Sequence, residues 1–293
     1  MGERARGKND AAVWIRDCIV KYAASDENSL HLEGTREPAW GEPLVGFSRG
    51  DDPLYQGFKE DIGPFHWTPA EIFSATFPDV QAAPDELTVV SWILPQTERT
   101  RLDNSREEAM PADRWILSRK YGEDFNIKLR DHVAGVLKAA GHEAVAPMNS
   151  PSWRWKKSDR YGLASSWSER HAAYVSGLGT FGLCDGLITP RGKAMRCGSV
   201  VARIAVRPAE RPYDNHHAYC LFFFNGSCGK CMQRCPAGAI TREGHNKEKC
   251  YTYLHTITGK HAQSRFRFET SPCGLCQAGV PCEAKIPVPE RTG

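Results

Sequence analysis

Residues 123–140 carry the clearest periodicity in the chain. Phe125, Leu129, Val133, Val136, Leu137 and Ala140 recur at helical spacing, and Gly141 stands where a C-terminal cap belongs. An apolar stripe over residues 11–24 predicts an opening helix, with Cys18 on it as a buried small hydrophobe. Leu87-Thr88-Val89-Val90-Ser91-Trp92-Ile93-Leu94 is a β-branched and aromatic run closed by Pro95, which predicts a buried strand. A short strand is expected at Glu143–Ala146, a helix at Glu169–Ser176 broken by the glycines that follow, and a second long strand at Ser199–Val206. Strand, helix and strand alternate, which argues for an α/β layer fold. Residues 34–84, rich in Pro, Gly and aromatics, read as irregular surface structure. Arg207–Asn215, with Pro208 and Pro212, divides the chain into residues 1–210 and residues 211–293.

Composition narrows the class. Of 293 residues 41% are hydrophobic and 25% charged, the balance of a globular chain that buries a core. No apolar run approaches the ~20 residues that span a bilayer; Leu221-Phe222-Phe223-Phe224 is far too short, so no membrane partner is expected. Met1–Asp10 is polar and charged, without an apolar signal core, so a cytoplasmic location is expected. The net charge of +3 gives no nucleic-acid footprint. Arg154-Trp155-Lys156-Lys157 reads as a solvated loop, with contact to an anionic substrate or nucleic acid as the alternative.

Cysteine changes the picture most. Of eleven, Cys18, Cys184 and Cys197 are scattered, and the two near the middle read as inert buried thiols. The other eight crowd into the last part of the chain: Cys220, Cys228, Cys231, Cys235, Cys250, Cys273, Cys276 and Cys282. Clustered cysteines in a cytosolic chain read as metal ligands rather than disulfides. Cys228-Gly-Lys-Cys231-Met-Gln-Arg-Cys235-Pro236 is the core of the bacterial ferredoxin run C-x2-C-x2-C-x3-C-P, whose fourth cysteine ligates the other cluster. The run's first position is Asn225, and Cys220 is the natural substitute, since a longer loop costs only a few tenths of a kcal/mol to close, as an order of magnitude. With ferredoxin-style crossing, one [4Fe–4S] cluster takes Cys220, Cys228, Cys231 and Cys282. The second takes Cys235, Cys250, Cys273 and Cys276. Two four-cysteine zinc sites are the alternative, but zinc ribbons have no need of a C-x2-C-x3-C-P run.

With these motifs in view, the chain resembles the epoxyqueuosine reductases and, more distantly, the reductive dehalogenases, from about Leu87 to Cys282. Tyr121-Gly-Glu-Asp124-Phe125-Asn126 is similar to their R-D-Y-H segment. Residues 169–182, from Glu169-Arg170 to Gly177-Leu178-Gly179-Thr180-Phe181-Gly182, resemble their E-R-x-x-A-x-x-A-G-L-G-W-I-G stretch, and Lys249-Cys250-Tyr-Thr-Tyr253-Leu254 their R-C-I-S-Y-L. The resemblance implies an α/β (α+β) nitroreductase-like core with a C-terminal ferredoxin-like domain of two [4Fe–4S] clusters. It implies base-off cobalamin, with Gly177, Gly179, Phe181 and Gly182 approaching the corrin. An electron donor such as ferredoxin or flavodoxin would feed the clusters, and the substrate would be an electrophilic small molecule or nucleoside. The family's acidic proton donor falls at Leu163, its R-D-Y-H histidine at Asn126, and its G-K-N after the glycine loop at Leu183-Cys184. Of the acids nearby, Asp159, Tyr161 and Asp185, Tyr161 is the candidate catalytic residue.

Overall fold

The computed structural model describes residues 2–289, and of residues 2–9 the backbone alone. The last residues of the 211–293 segment therefore lie outside the described residues. The elements in chain order are α1 (Gly2–Ala23), β1 (Leu44–Arg49), α2 (Pro53–Ile62), α3 (Pro69–Thr76), β2 (Leu87–Pro95), α4 (Glu98–Arg106) and α5 (Asp113–Ala139). They continue through β3 (Ala144–Val145), β4 (Trp155–Ser158), β5 (Gly162–Ser165), α6 (Glu169–Val175), β6 (Thr180–Phe181), β7 (Leu187–Ile188) and β8 (Met195–Arg203). The cysteine-rich part holds α7 (Leu221–Asn225), α8 (Lys230–Gln233), β9 (Ile240–Thr241), β10 (Gly244–His245), α9 (Lys247–Tyr253) and α10 (Gly259–Phe266), the last two joined by a π-helical turn at Leu254–Thr258.

The central sheet has the order β1-β2-β8-β3, and every pairing in it is antiparallel. β2 is buried along its whole length because helices cover both faces. Val90, Trp92 and Leu94, with Val200 and Ala202 of β8, pack against Ile15, Ile19, Phe125, Leu129 and Val133 of α1 and α5. Leu87, Val89 and Val201 face the other way, onto Tyr55, Ile72, Phe73 and Trp167. The expected helix-covered sheet is therefore present, but its antiparallel pairing makes the core α+β rather than a parallel crossover fold.

Two expectations need correction. Residues 34–84 are not irregular: they contain β1, which pairs with β2 from Leu44↔Ile93 to Arg49↔Thr88, together with α2 and α3. Asp52 caps α2 with Pro53 in its first turn. Thr68 and Glu71 form a capping box on α3, so Pro and Thr here start helices. The long helix begins at Asp113, well before residue 123: its first turns bury Trp115, Ile116 and Leu117 and carry salt bridges from Arg114, Arg119 and Lys120. Its end is as expected: Gly141 is left-handed at φ 86°, its N–H donating to Lys138 O.

The cysteine-rich part is stitched to the core rather than appended to it. Lys193 N donates to Cys282 O (2.8 Å) and Ala194 N to Glu283 O (3.1 Å), just ahead of β8. Arg234 donates to Leu275 O and Asn104 O, each at 3.0 Å. Phe268 meets Tyr121 of α5 edge to face.

Candidate metal centre

Cys220, Cys228, Cys231 and Cys282 line one small cavity, with Lys193, Ile188 and Leu183 closing it from the core side. The local chain explains the placement. Cys220 sits at the start of α7, a one-turn helix closed by left-handed Gly226. Cys228 precedes α8 and Cys231 lies on it. Cys282 arrives from far along the chain, held by the backbone bonds to Lys193 and Ala194.

Cys235 leaves α8 in another direction. Its sulfur accepts a hydrogen bond from Ala239 N at 3.3 Å, and it lies within electrostatic reach of Cys273, as Cys250 does. Cys276 is a neighbour of Cys273. Burial pushes the Cys273 thiol up to about 11. Among the described residues no three His, Cys, Asp or Glu side chains converge on a single-ion position. The donor chemistry is nevertheless soft and all thiol, which suits iron–sulfur clusters or zinc rather than a hard cation. The residues lining the cavity therefore fit a thiolate-held cluster.

Two residues lie between the sets: Cys184, expected to be only an inert buried thiol, and Lys193. Cys184, on the β6–β7 hairpin, interacts with Cys231 of one set and Cys276 of the other. Hydrogen bonds from those two thiols hold its own well below the ordinary value, burial opposes them, and the Lys193 ammonium adds to the lowering. Lys193 Nζ donates to Cys184 Sγ at 3.2 Å. No spacing rule links positions 184 and 193 to a C-x2-C run; only the fold brings them there. Cys197, by contrast, lies on β8 against Met195, and burial pushes its thiol up to about 12, as an inert core thiol should be.

The glycine stretch after α6 is filled by the chain itself. Gly177 is left-handed at φ 77°, and a Cβ there would lie 2.4 Å from Glu210 O; one at Gly179 would lie 2.3 Å from Ile188 O. Gly182 is buried against Ile188. Phe181 packs on His171 and Tyr174, while its N–H donates to His216 O and its carbonyl accepts from His217 Nδ1. The need for glycine here is met by neighbouring backbone. The space that a Cβ would take at Gly177 and Gly179 is thus filled by Glu210 and Ile188 rather than left open.

Tyr161 stands at the turn between β4 and β5. Its hydroxyl donates to Asp61 Oδ2 at 2.5 Å, and burial, then the Asp61 contact, push the phenol up to about 12. Lys247 Nζ lies 5.4 Å from its ring centroid and also donates to Leu163 O, the position of the family's acid. Three residues beyond Lys247 on α9 is Cys250. His245 joins this corner to the thiols: its Nδ1 is 3.2 Å from Asp185 Oδ2, and its ring also reaches Cys250. Tyr161 and Asp185 thus fall within electrostatic reach of each other beside the second cysteine set.

No protein-family model matches the chain, and no curated protein is similar to it. Among solved structures, a catabolic reductive dehalogenase in complex with 3-bromo-4-hydroxybenzoic acid is similar over 98% of this chain and 39% of its own, at 17% identity and a TM-score of 0.50. An epoxyqueuosine reductase with an epoxyqueuosine-modified tRNA-Tyr stem loop is similar over 93% of this chain and 66% of its own, at 18% identity and a TM-score of 0.47. The epoxyqueuosine reductase from Bacillus subtilis is similar over 95% and 68%, at 17% identity and a TM-score of 0.46. The chain thus spans about two fifths of the dehalogenase, with which it shares a fold, and about two thirds of the reductases. These are the two families that the sequence resembles. No helix among the described residues is long and apolar enough to cross a membrane.

Proposed function

We propose that the chain is an oxidoreductase that carries electrons through two [4Fe–4S] clusters, one on Cys220, Cys228, Cys231 and Cys282 and the other on Cys235, Cys250, Cys273 and Cys276. The observation that carries this reading is the single cavity shared by the first four cysteines, one of them brought from far along the chain. When bound, the clusters supply one-electron transfer; the chain supplies thiolates, burial and nearby charge. Electrons enter from a ferredoxin- or flavodoxin-type donor and leave to an electrophilic small molecule or nucleoside beside Tyr161. Base-off cobalamin is the further cofactor that the family resemblance implies. Closure of the glycine stretch at Gly177 and Gly179 favours a second reading, a corrin-free electron carrier serving a partner enzyme.

Anaerobic analysis of the purified chain should give about eight iron and eight sulfide, from four thiolates per cube. About four iron, or zinc in its place, would sink the two-cluster reading. Titration with cobalamin and the visible spectrum of protein from a cobalamin-fed host separate the two readings: corrin bands support the reductase with cobalamin, and cluster absorption alone the carrier. Once an acceptor is found by screening, Tyr161→Phe should slow its reduction about 10²–10⁴-fold with iron content unchanged. Unchanged turnover would return Tyr161 to the status of a hairpin residue anchored on Asp61.

A further inference from the structure

Lys193 is 3% exposed, and the thiols of Cys184, Cys282, Cys276 and Cys231 are the groups that act most strongly on its ammonium. A buried ammonium is strongly disfavoured unless an anion faces it. The side chain is built in rather than wandering. The turn from Thr189 to Gly192 delivers it to the head of β8, and its backbone N–H is fixed on Cys282 O at 2.8 Å. Its Nζ then reaches past Cys282 to Cys184 Sγ, at 3.2 Å, the thiol that touches both cysteine sets.

Resting on the two-cluster reading, we propose that Lys193 is a fixed positive charge between the two clusters that raises the reduction potential of both, with Cys184 holding its ammonium in place. The argument is one of charge. A cluster on four thiolates is anionic, and one electron makes it more so. A cation at the same distance stabilises the reduced form more than the oxidised one, and burial strengthens the effect. Each cluster takes one electron, the ferredoxin- or flavodoxin-type donor loses one, and no bond or proton changes at Lys193. Because Lys193 lines the cavity of the first set and its ammonium is bonded to Cys184, which touches Cys276 of the second set as well as Cys231, it shifts both couples in the same direction.

The test is a dithionite titration of the reconstituted full chain, followed by electron paramagnetic resonance, with iron analysis of every sample. In Lys193→Met and Lys193→Gln each reduction equilibrium should fall at least about tenfold, a midpoint about 59 mV more negative for a one-electron couple. Lys193→Arg, which keeps the charge, should stay within about twofold of the parent. Neutral variants with full iron and parental midpoints would overturn the proposal, as would an arginine variant shifted as far as the methionine one. Should the neutral variants take up no iron, the parent chain labelled with ¹⁵N-lysine decides. A hyperfine coupling from a lysine nitrogen to the reduced clusters that vanishes in Lys193→Arg supports the assignment, and its absence from the parent overturns it. A parent chain without iron would overturn the cluster reading itself, so the two failures are told apart.

Discussion

Cys235→Ala is expected to abolish the same paramagnetic signal as Cys273→Ala, and Cys282→Ala the same signal as Cys231→Ala, each variant falling from about eight iron to about four. The effect is large because a cube that loses one of four thiolates is rarely retained. The pairing is the informative part. Cys235 is four residues from Cys231 in sequence, yet it turns away after α8, with its sulfur capped by Ala239 N, toward Cys250 and Cys273. Cys282 is far from Cys231 in sequence, yet the two line one cavity. If Cys235→Ala instead matches Cys231→Ala, the crossing is wrong and the near neighbours share a cube.

Arg130→Met should cost about 3–5 kcal/mol, the usual penalty for stripping the partner from buried charge. Arg130 is 2% exposed. Its Nε donates to Glu169 Oε1 (3.0 Å), its Nη2 to Glu123 Oε1 (3.2 Å) and its Nη1 to Asn149 Oδ1 (3.3 Å). Burial pushes the Glu169 carboxyl up, although Arg130 and Ser199 oppose it. Burial also acts to raise Glu123, but Arg196, Arg130 and Arg119 around it outweigh that and hold it low. Without Arg130, Glu169 loses its guanidinium and must take up a proton or unfold its surroundings. The thermal midpoint should fall on the order of 10 °C, followed by far-ultraviolet circular dichroism at a fixed scan rate. Adding Glu169→Gln should recover part of the loss, because the uncompensated charge is then gone. A single variant that melts with the parent would show that water already reaches these carboxylates.

The same pair shows what was legible in the sequence and why. Glu169-Arg170 stood out as part of a resemblance, but its glutamate serves as an anchor between α5, α6 and β8, which no local pattern reveals. β2 was readable because burial on both faces leaves an unbroken apolar run, and the end of α5 because its last turns carry the apolar stripe and Gly141 stops it. β1 was not, because Gly46 and Ser48 interrupt its apolar positions where the strand packs closely on Ser176 and Tyr55. Thr68-Pro69-Ala70-Glu71 did carry a capping-box signal, hidden by the habit of reading proline as a breaker. The spacing of the cysteines suggested a grouping, and Cys220, Cys228, Cys231 and Cys282 do line one cavity. Cys184 read only as an inert buried thiol and no pattern tied Lys193 to the cysteines, since a hairpin and a turn fold both back on residues far along the chain.

The docking of Cys282 on the strand of chain before β8 also sets an order of events during synthesis. Domains fold as they leave the ribosome, N-terminal parts first. If Cys220, Cys228, Cys231 and Cys282 hold one cluster, the first three emerge early and stay three ligands of four until Cys282 has been made and has found Lys193 and Ala194. Through that interval the half-built site is an open set of thiols beside an exposed ammonium, vulnerable to oxidation and to capture of the wrong metal. On the two-cluster reading, insertion of a cube into this site follows translation of Cys282.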